Sequence, residues 1–235
     1  MTDPRTSLIV PLMKARVPAE VQLEFPLPAE EEPIRDPFAG DLYVTYALEL
    51  ADEPGAGPAL RPEAAGRRYE HVARRHCAEL GIAPEDLRRL ATANLRDLRP
   101  DLRMSWYPDA RAVTVSLGTA APAGGKGDPS AVPPAGRAGG GLEAGLLLDE
   151  GFLEKLAQDV EGDLVAAAPA RDVFVASGTG HPEGIEKLRW AVERVWSEDQ
   201  GEGETDPAWD VPAGHLLTRD LLVWRGGAWT PLTTA

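Results

Sequence analysis

A chain of 235 residues with 43% hydrophobic residues can bury a proper core in one large or two small domains, so disorder throughout is excluded. Its 38 acids against 24 bases give a net charge of −14, a field that repels nucleic acid and anionic lipid, so neither is expected as a partner. The single cysteine, Cys77, excludes an internal disulfide and a cysteine-rich zinc site, and with no apolar run of signal-peptide or membrane-spanning length the chain reads as cytoplasmic.

Residues 1–40 read as an extended, proline-rich acidic segment with little regular structure, since Pro18, Pro26, Pro28, Pro33 and Pro37 punctuate it and Glu30, Glu31 and Glu32 charge it. The domain proper is assigned to residues 41–235. Asp41 to Leu50 is rich in β-formers between Gly40 and Pro54, which makes it a strand. After a Gly/Pro segment come two helices. In the first, Tyr69, Val72, His76 and Leu80 share a face and Gly81 stands where a C-cap glycine would. In the second, Pro84 takes the first turn with Glu85 and Asp86, ahead of the stripe Leu87, Leu90, Ala91, Leu95 and Leu98.

Residues 104–107 and 111–117 read as two strands joined by the turn Tyr107-Pro108-Asp109-Ala110. The tract 119–141, low-complexity and dominated by Gly, Pro and Ala with no aromatic group, has no face to bury and reads as a flexible connection. A short apolar segment at 142–148, a helix near 150–160 and strands near 164–168 and 171–176 follow. The clearest helix is 184–197, with Ile185, Leu188, Ala191, Val192, Val195 and Trp196 in one stripe. A second flexible tract, 197–210, carries six acids and no base. Last comes a hairpin signal, apolar residues flanking Gly226-Gly227, where paired glycines allow the positive φ of a tight turn. The fold class is α+β: a single domain with a mixed or mainly antiparallel sheet and helices packed on it.

The succession of Leu42-Tyr43-Val44-Thr45-Tyr46, a helix ending Leu90-Ala91-Thr92-Ala93-Asn94-Leu95, Ala144-Gly145-Leu146-Leu147-Leu148, Val165 to Pro169 before Arg171-Asp172, a helix, and a hairpin with Trp224 resembles the YtpQ-like bacterial domain-of-unknown-function family. The resemblance spans residues 38–232, with the Gly/Pro tract as an insertion, and departs at Gly145, where the family commonly has a small hydroxyl residue. It implies the fold class and a cytoplasmic location, and no reaction.

Arg171 and Asp172, one charged pair in an apolar frame, are the leading chemical candidates, with a structural ion pair as the plainer reading. A hydroxyl of Ser177-Gly178-Thr179-Gly180-His181-Pro182, His181 and Asp172 could compose a nucleophilic site by triad logic, which with Arg171 beside Asp172 makes Arg171, Asp172 and His181 the candidate catalytic trio. His71 and His76 are five apart, off the i, i+4 spacing of helical metal sites, so no metal is expected. His76 reads as a hydrogen-bonded core residue and His71 as wet. The Gly-rich turn lacks the lysine of a phosphate loop, and no dinucleotide fingerprint follows a strand, so no cofactor is expected.

Residues 61–111 hold 11 arginines against 8 acids, a charge of +3 in a chain otherwise carrying −17. Arg67, Arg74, Arg75 and Arg88 then form a candidate docking surface for an acidic partner, unless they are a solvated face paired through Glu70–Arg74 and Glu85–Arg89. Trp209, alone in the acidic tract, is a candidate partner anchor. The expected function is a cytoplasmic, non-enzymatic protein that binds another protein, as a regulator, adaptor or toxin-neutralising partner. The alternative is a hydrolase-type enzyme using Asp172, Arg171 and His181.

Overall fold

The run Ile9-Val10-Pro11-Leu12-Met13 is the first core element of the computed structural model, which describes residues 3–16, 27–50, 68–118, 141–197, 211 and 213–233. Strand β1 (Ile9–Ala15) pairs antiparallel with β3 (Leu42–Leu50), whose other edge holds β2 (Arg35–Pro37) and β4 (Arg68–His71). Ile9, Val10, Leu12 and Met13 are at most 2% exposed, so both faces of β1 are covered and polar alternation is absent. The expectation of an irregular surface path over residues 1–40 is therefore corrected. Pro11 is accommodated because β1 ends its sheet, where a residue lacking N–H is tolerated.

The helical spacing of Tyr69, Val72, His76 and Leu80 also covers two elements rather than one. Residues 68–71 form β4, and α1 (Arg74–Leu80) begins only afterwards, ending at Gly81 with φ 67°. His76 is a buried cap: its Nδ1 accepts from Ala73 N at 2.9 Å, leaving Nε2 toward Glu70 at 3.4 Å. A turn at Pro84–Asp86 then leads into α2 (Leu87–Leu98), whose Leu87, Ala91 and Leu95 are buried as the stripe predicts. Asn94 on the same helix donates to the carbonyls of Thr6 (2.7 Å) and Ile9 (2.9 Å), tying α2 to the start of β1.

The second sheet is antiparallel and six-stranded, in the order β10-β9-β7-β8-β6-β5. Its members are β5 (Asp101–Tyr107), β6 (Ala112–Gly118), β7 (Leu164–Ala167), β8 (Phe174–Gly178), β9 (Leu221–Arg225) and β10 (Ala228–Pro231). Alternation divides its central strands cleanly. Leu164, Ala166, Phe174 and Ala176 face the core shared with the first sheet and α2, and with α3 (Glu150–Gln158). Val165, Ala167 and Val175 face the apolar stripe of α4 (Pro182–Trp196). The chain is thus a single α+β domain with two antiparallel sheets. Gly226 and Gly227, at φ 55° and 80°, close the β9–β10 turn in the left-handed region where side chains are strained.

Two expectations change in detail. The strand predicted at 171–176 starts only at Phe174, and residues 169–173 are the connection from β7 to β8. The apolar segment 142–148 forms a buried 3-10 helix over Glu143–Leu148. The tracts 119–141 and 197–210 fall, apart from Gly141 and Ser197, outside the described residues. Among the described residues no helix is long and apolar enough to cross a membrane.

Candidate functional site

Three chain segments are sewn together around Arg171 and Asp172. Arg171 N donates to His215 O at 2.9 Å, Ala144 N to Arg171 O at 2.9 Å, and Leu217 N to Pro169 O at 2.8 Å. This backbone mesh brings Glu143, Asp172 and His215 to one place from positions 72 residues apart in sequence. His215 Nδ1 stands 3.6 Å from Asp172 Oδ2. Glu143, 2% exposed, accepts from Leu117 N at 3.3 Å and Leu142 N at 3.1 Å. Burial nevertheless pushes its carboxyl up to about 7, the charge of Asp172 adding to the effect and the backbone N–H groups opposing it.

Buried polar atoms normally find partners. Of the five described buried side-chain atoms without one, three are here: Arg171 Nε, Asp172 Oδ1 and His215 Nδ1. Burial also holds the Arg171 guanidinium below its ordinary value, against the pull of Asp172 and Tyr69. Such a concentration of orphaned and perturbed groups is what sites share and packed cores avoid.

The structure does not bring the sequence-predicted trio together. Asp172 precedes β8 and His181 follows it, and the five residues of that strand alone span about 16 Å. His181 caps α4, with Nε2 3.8 Å from Glu161 Oε2. The hydroxyls beside it are engaged as well: Ser177 is fully buried and donates to Arg111 O at 2.8 Å, and Thr179 Oγ1 accepts from Asp163 N at 2.9 Å. The histidine next to Asp172 is His215.

Arg74, Arg75 and Arg88 are exposed, as a docking surface requires, but each lies against groups of its own chain. Arg74 lines a cleft with Glu32, Asp36 and Glu85, Arg75 N donates to Glu30 O at 3.1 Å, and the Arg88 guanidinium lies 5.6 Å above the Phe38 ring. Of the helix pairs predicted, Arg89 is bound by Asp86 at 3.1 Å instead of Glu85. Arg67 and Trp209 lie outside the described residues.

A feature that sequence reasoning missed is the edge of the second sheet. β5 closes that sheet, and no described strand covers its outer side. Its Leu102, Met104 and Trp106 are 38%, 43% and 42% exposed, on the face that Val113, Val115 and Leu117 of β6 bury. Trp106 also walls a cleft of about 540 Å³ with Pro108, Arg111, Asp159, Val160 and His181. On the opposite face Lys187 packs between the rings of Tyr107 (5.0 Å) and Trp190 (3.7 Å), so aromatic groups frame this end of the sheet.

Glu143 and His215 were likewise missed as residues of the Asp172 cluster. Glu143 did carry a signal, being a charge next to an apolar run, since charged residues are rarely buried without a reason. No family model, curated protein or solved structure matches the chain. Among the described residues no group of three or more His, Cys, Asp or Glu is placed to hold a metal ion.

Proposed function

We propose that the protein acts in the cytoplasm by binding another protein, through strand addition at β5. The observation that supports this reading is the uncovered stripe Leu102, Met104, Trp106 on a seven-residue edge strand. An open edge carries unpaired backbone groups and is a template for an incoming strand. The opposite edge is unsuited to the task, because β10 is only four residues long and ends in Pro231.

Magnitudes define the partner. Completing the burial of three side chains that are each about two-fifths exposed yields roughly 0.6–1.2 kcal/mol apiece, so about 2–4 kcal/mol in total. Association costs at least about 4 kcal/mol, so the stripe alone does not hold a partner. The missing stabilisation has to come from main-chain hydrogen bonds along β5 and from a side chain seated in the cleft beside Trp106. The partner is therefore an extended segment with apolar residues at alternate positions, long enough to run from Leu102 past Trp106.

A photoreactive amino acid at position 104 tests this in the native cytoplasm, with one at exposed Glu186 of α4 as the control. The expected result is one discrete adduct from position 104, absent from position 186 and lost when Leu102→Lys and Trp106→Ala are added. Adducts equal at both positions, or none at 104, overturn the proposal.

A further inference from the structure

We propose that Lys14, His71 and Arg171 form a second site, which binds a small ligand through an oxyanion such as phosphate or carboxylate. The sheet register sets up the arrangement. Lys14 stands opposite Tyr43, Arg35 opposite Thr45 and His71 opposite Ala47, so by the two-residue alternation of strands all three basic side chains share one face of the first sheet. Asp36, the neighbouring acid, belongs to the other face, where it accepts from Tyr46. Arg171 joins from the β7–β8 connection, close enough that its charge acts on both Lys14 and His71.

These cations are not neutralised within the described residues. Neither Lys14, Arg35 nor Arg171 has a carboxylate oxygen within 4 Å, although acids outnumber bases by 38 to 24. An internal cation elsewhere in the fold does have such a partner: Arg99 meets Glu49 at 2.5 Å. Crowding half-buried like charges is uphill, and the molecule registers it. Burial first, then the Arg171 charge, lowers Lys14, and burial followed by Lys14, Arg171 and Arg35 lowers His71. A bound oxyanion reverses that cost by supplying the absent negative charge.

The donor set fits such a group. A guanidinium offers a planar fork and an ammonium a compact point charge, the usual pair for gripping phosphate or carboxylate. Thr45 Oγ1, buried and donating to Ile34 O at 3.0 Å, lies 3.5 Å from His71 Nδ1 on the same face and helps position that ring. Asp172 favours the charged form of Arg171 from behind. Because the net charge of −14 repels anions at long range, the site favours a small ligand over an extended polyanion.

The test is calorimetric titration of the full chain with inorganic phosphate and, separately, with succinate, to separate the two oxyanion sources. The expected result is one-to-one binding of at least one of them, weakened tenfold or more by Lys14→Gln and by Arg171→Gln and unchanged by Arg189→Gln on the exposed side of α4. Should either internal variant fail to fold, amide chemical shifts of the unmodified protein decide, with perturbations centred on Lys14, Thr45, His71 and Arg171. The proposal is overturned by dissociation constants above roughly 10 mM for both anions, by equal weakening in Arg189→Gln, or by shifts centred elsewhere.

Discussion

Glu143→Gln should flatten the dependence of stability on pH between 5 and 8. A carboxyl that ionises near 4.5 in the unfolded chain and at about 7 in place destabilises the fold by roughly 3 kcal/mol once fully ionised. The sign follows from which state holds the proton. Below pH 4.5 Glu143 is protonated in both states and there is no penalty. As pH rises the unfolded chain releases its proton first, so stability falls through the window from 4.5 to 7 and levels off above it. From pH 5 to 8 the loss is roughly 2–3 kcal/mol, or about 5–10 °C in Tm for a chain of this size. Glutamine cannot ionise, so the variant lacks this slope. It does give up one of two acceptors, because Leu117 N and Leu142 N each use a separate carboxylate oxygen, at a cost of about 1–3 kcal/mol. The variant therefore starts less stable at pH 5, and the two curves converge or cross near pH 8. Urea unfolding at pH 5, 6, 7 and 8 measures both curves, and titrating groups that do not interact with Glu143 cancel in their difference. Parallel curves for the two proteins would refute the reasoning.

Arg99→Ala removes one member of a buried ion pair whose side chains are 1% and 8% exposed, and should cost about 3–5 kcal/mol in chemical denaturation. Asn94→Ala deletes the donor that holds the Thr6 and Ile9 carbonyls, and should cost about 1–3 kcal/mol. If that tie is what seats β1, hydrogen exchange in Asn94→Ala should accelerate first at residues 9–15 and only later in β6–β8.

What the sequence made legible was whatever local chemistry specifies. The stripe of α2, the C-cap at Gly81, the Gly226-Gly227 turn and the stripe of α4 are patterns complete within about 15 residues, and each is found where expected. Elements defined by distant partners were misread. β4 is four residues long and exists because it pairs with residues 47–50, while its own sequence fits a helical face equally well. β1 was hidden by Pro11 and by the acidic, proline-rich stretch after it, which outweighed five apolar residues in a row. The cluster of Glu143, Asp172 and His215 was least legible, since these residues come from positions 72 residues apart and meet only once the chain is folded. His181 was paired with Asp172 by nearness in sequence, whereas the histidine that stands beside Asp172 is His215, brought there by backbone pairing of residues 169–171 with 215–217.

The strand order of the second sheet also sets a timetable for a nascent chain. β7 can pair with β8 almost at once, but its other neighbour is β9, and the 53 residues from Ala168 to Asp220 must be made first. At about 5–20 residues per second, translation leaves the Leu164–Ala167 edge open for roughly 3–10 s. All four of its residues are buried in the finished protein, so for those seconds the ribosome presents a fully apolar strand with one side unzipped. Yield of folded protein should therefore depend on translation speed across residues 168–220 more than on speed through β1 to β3.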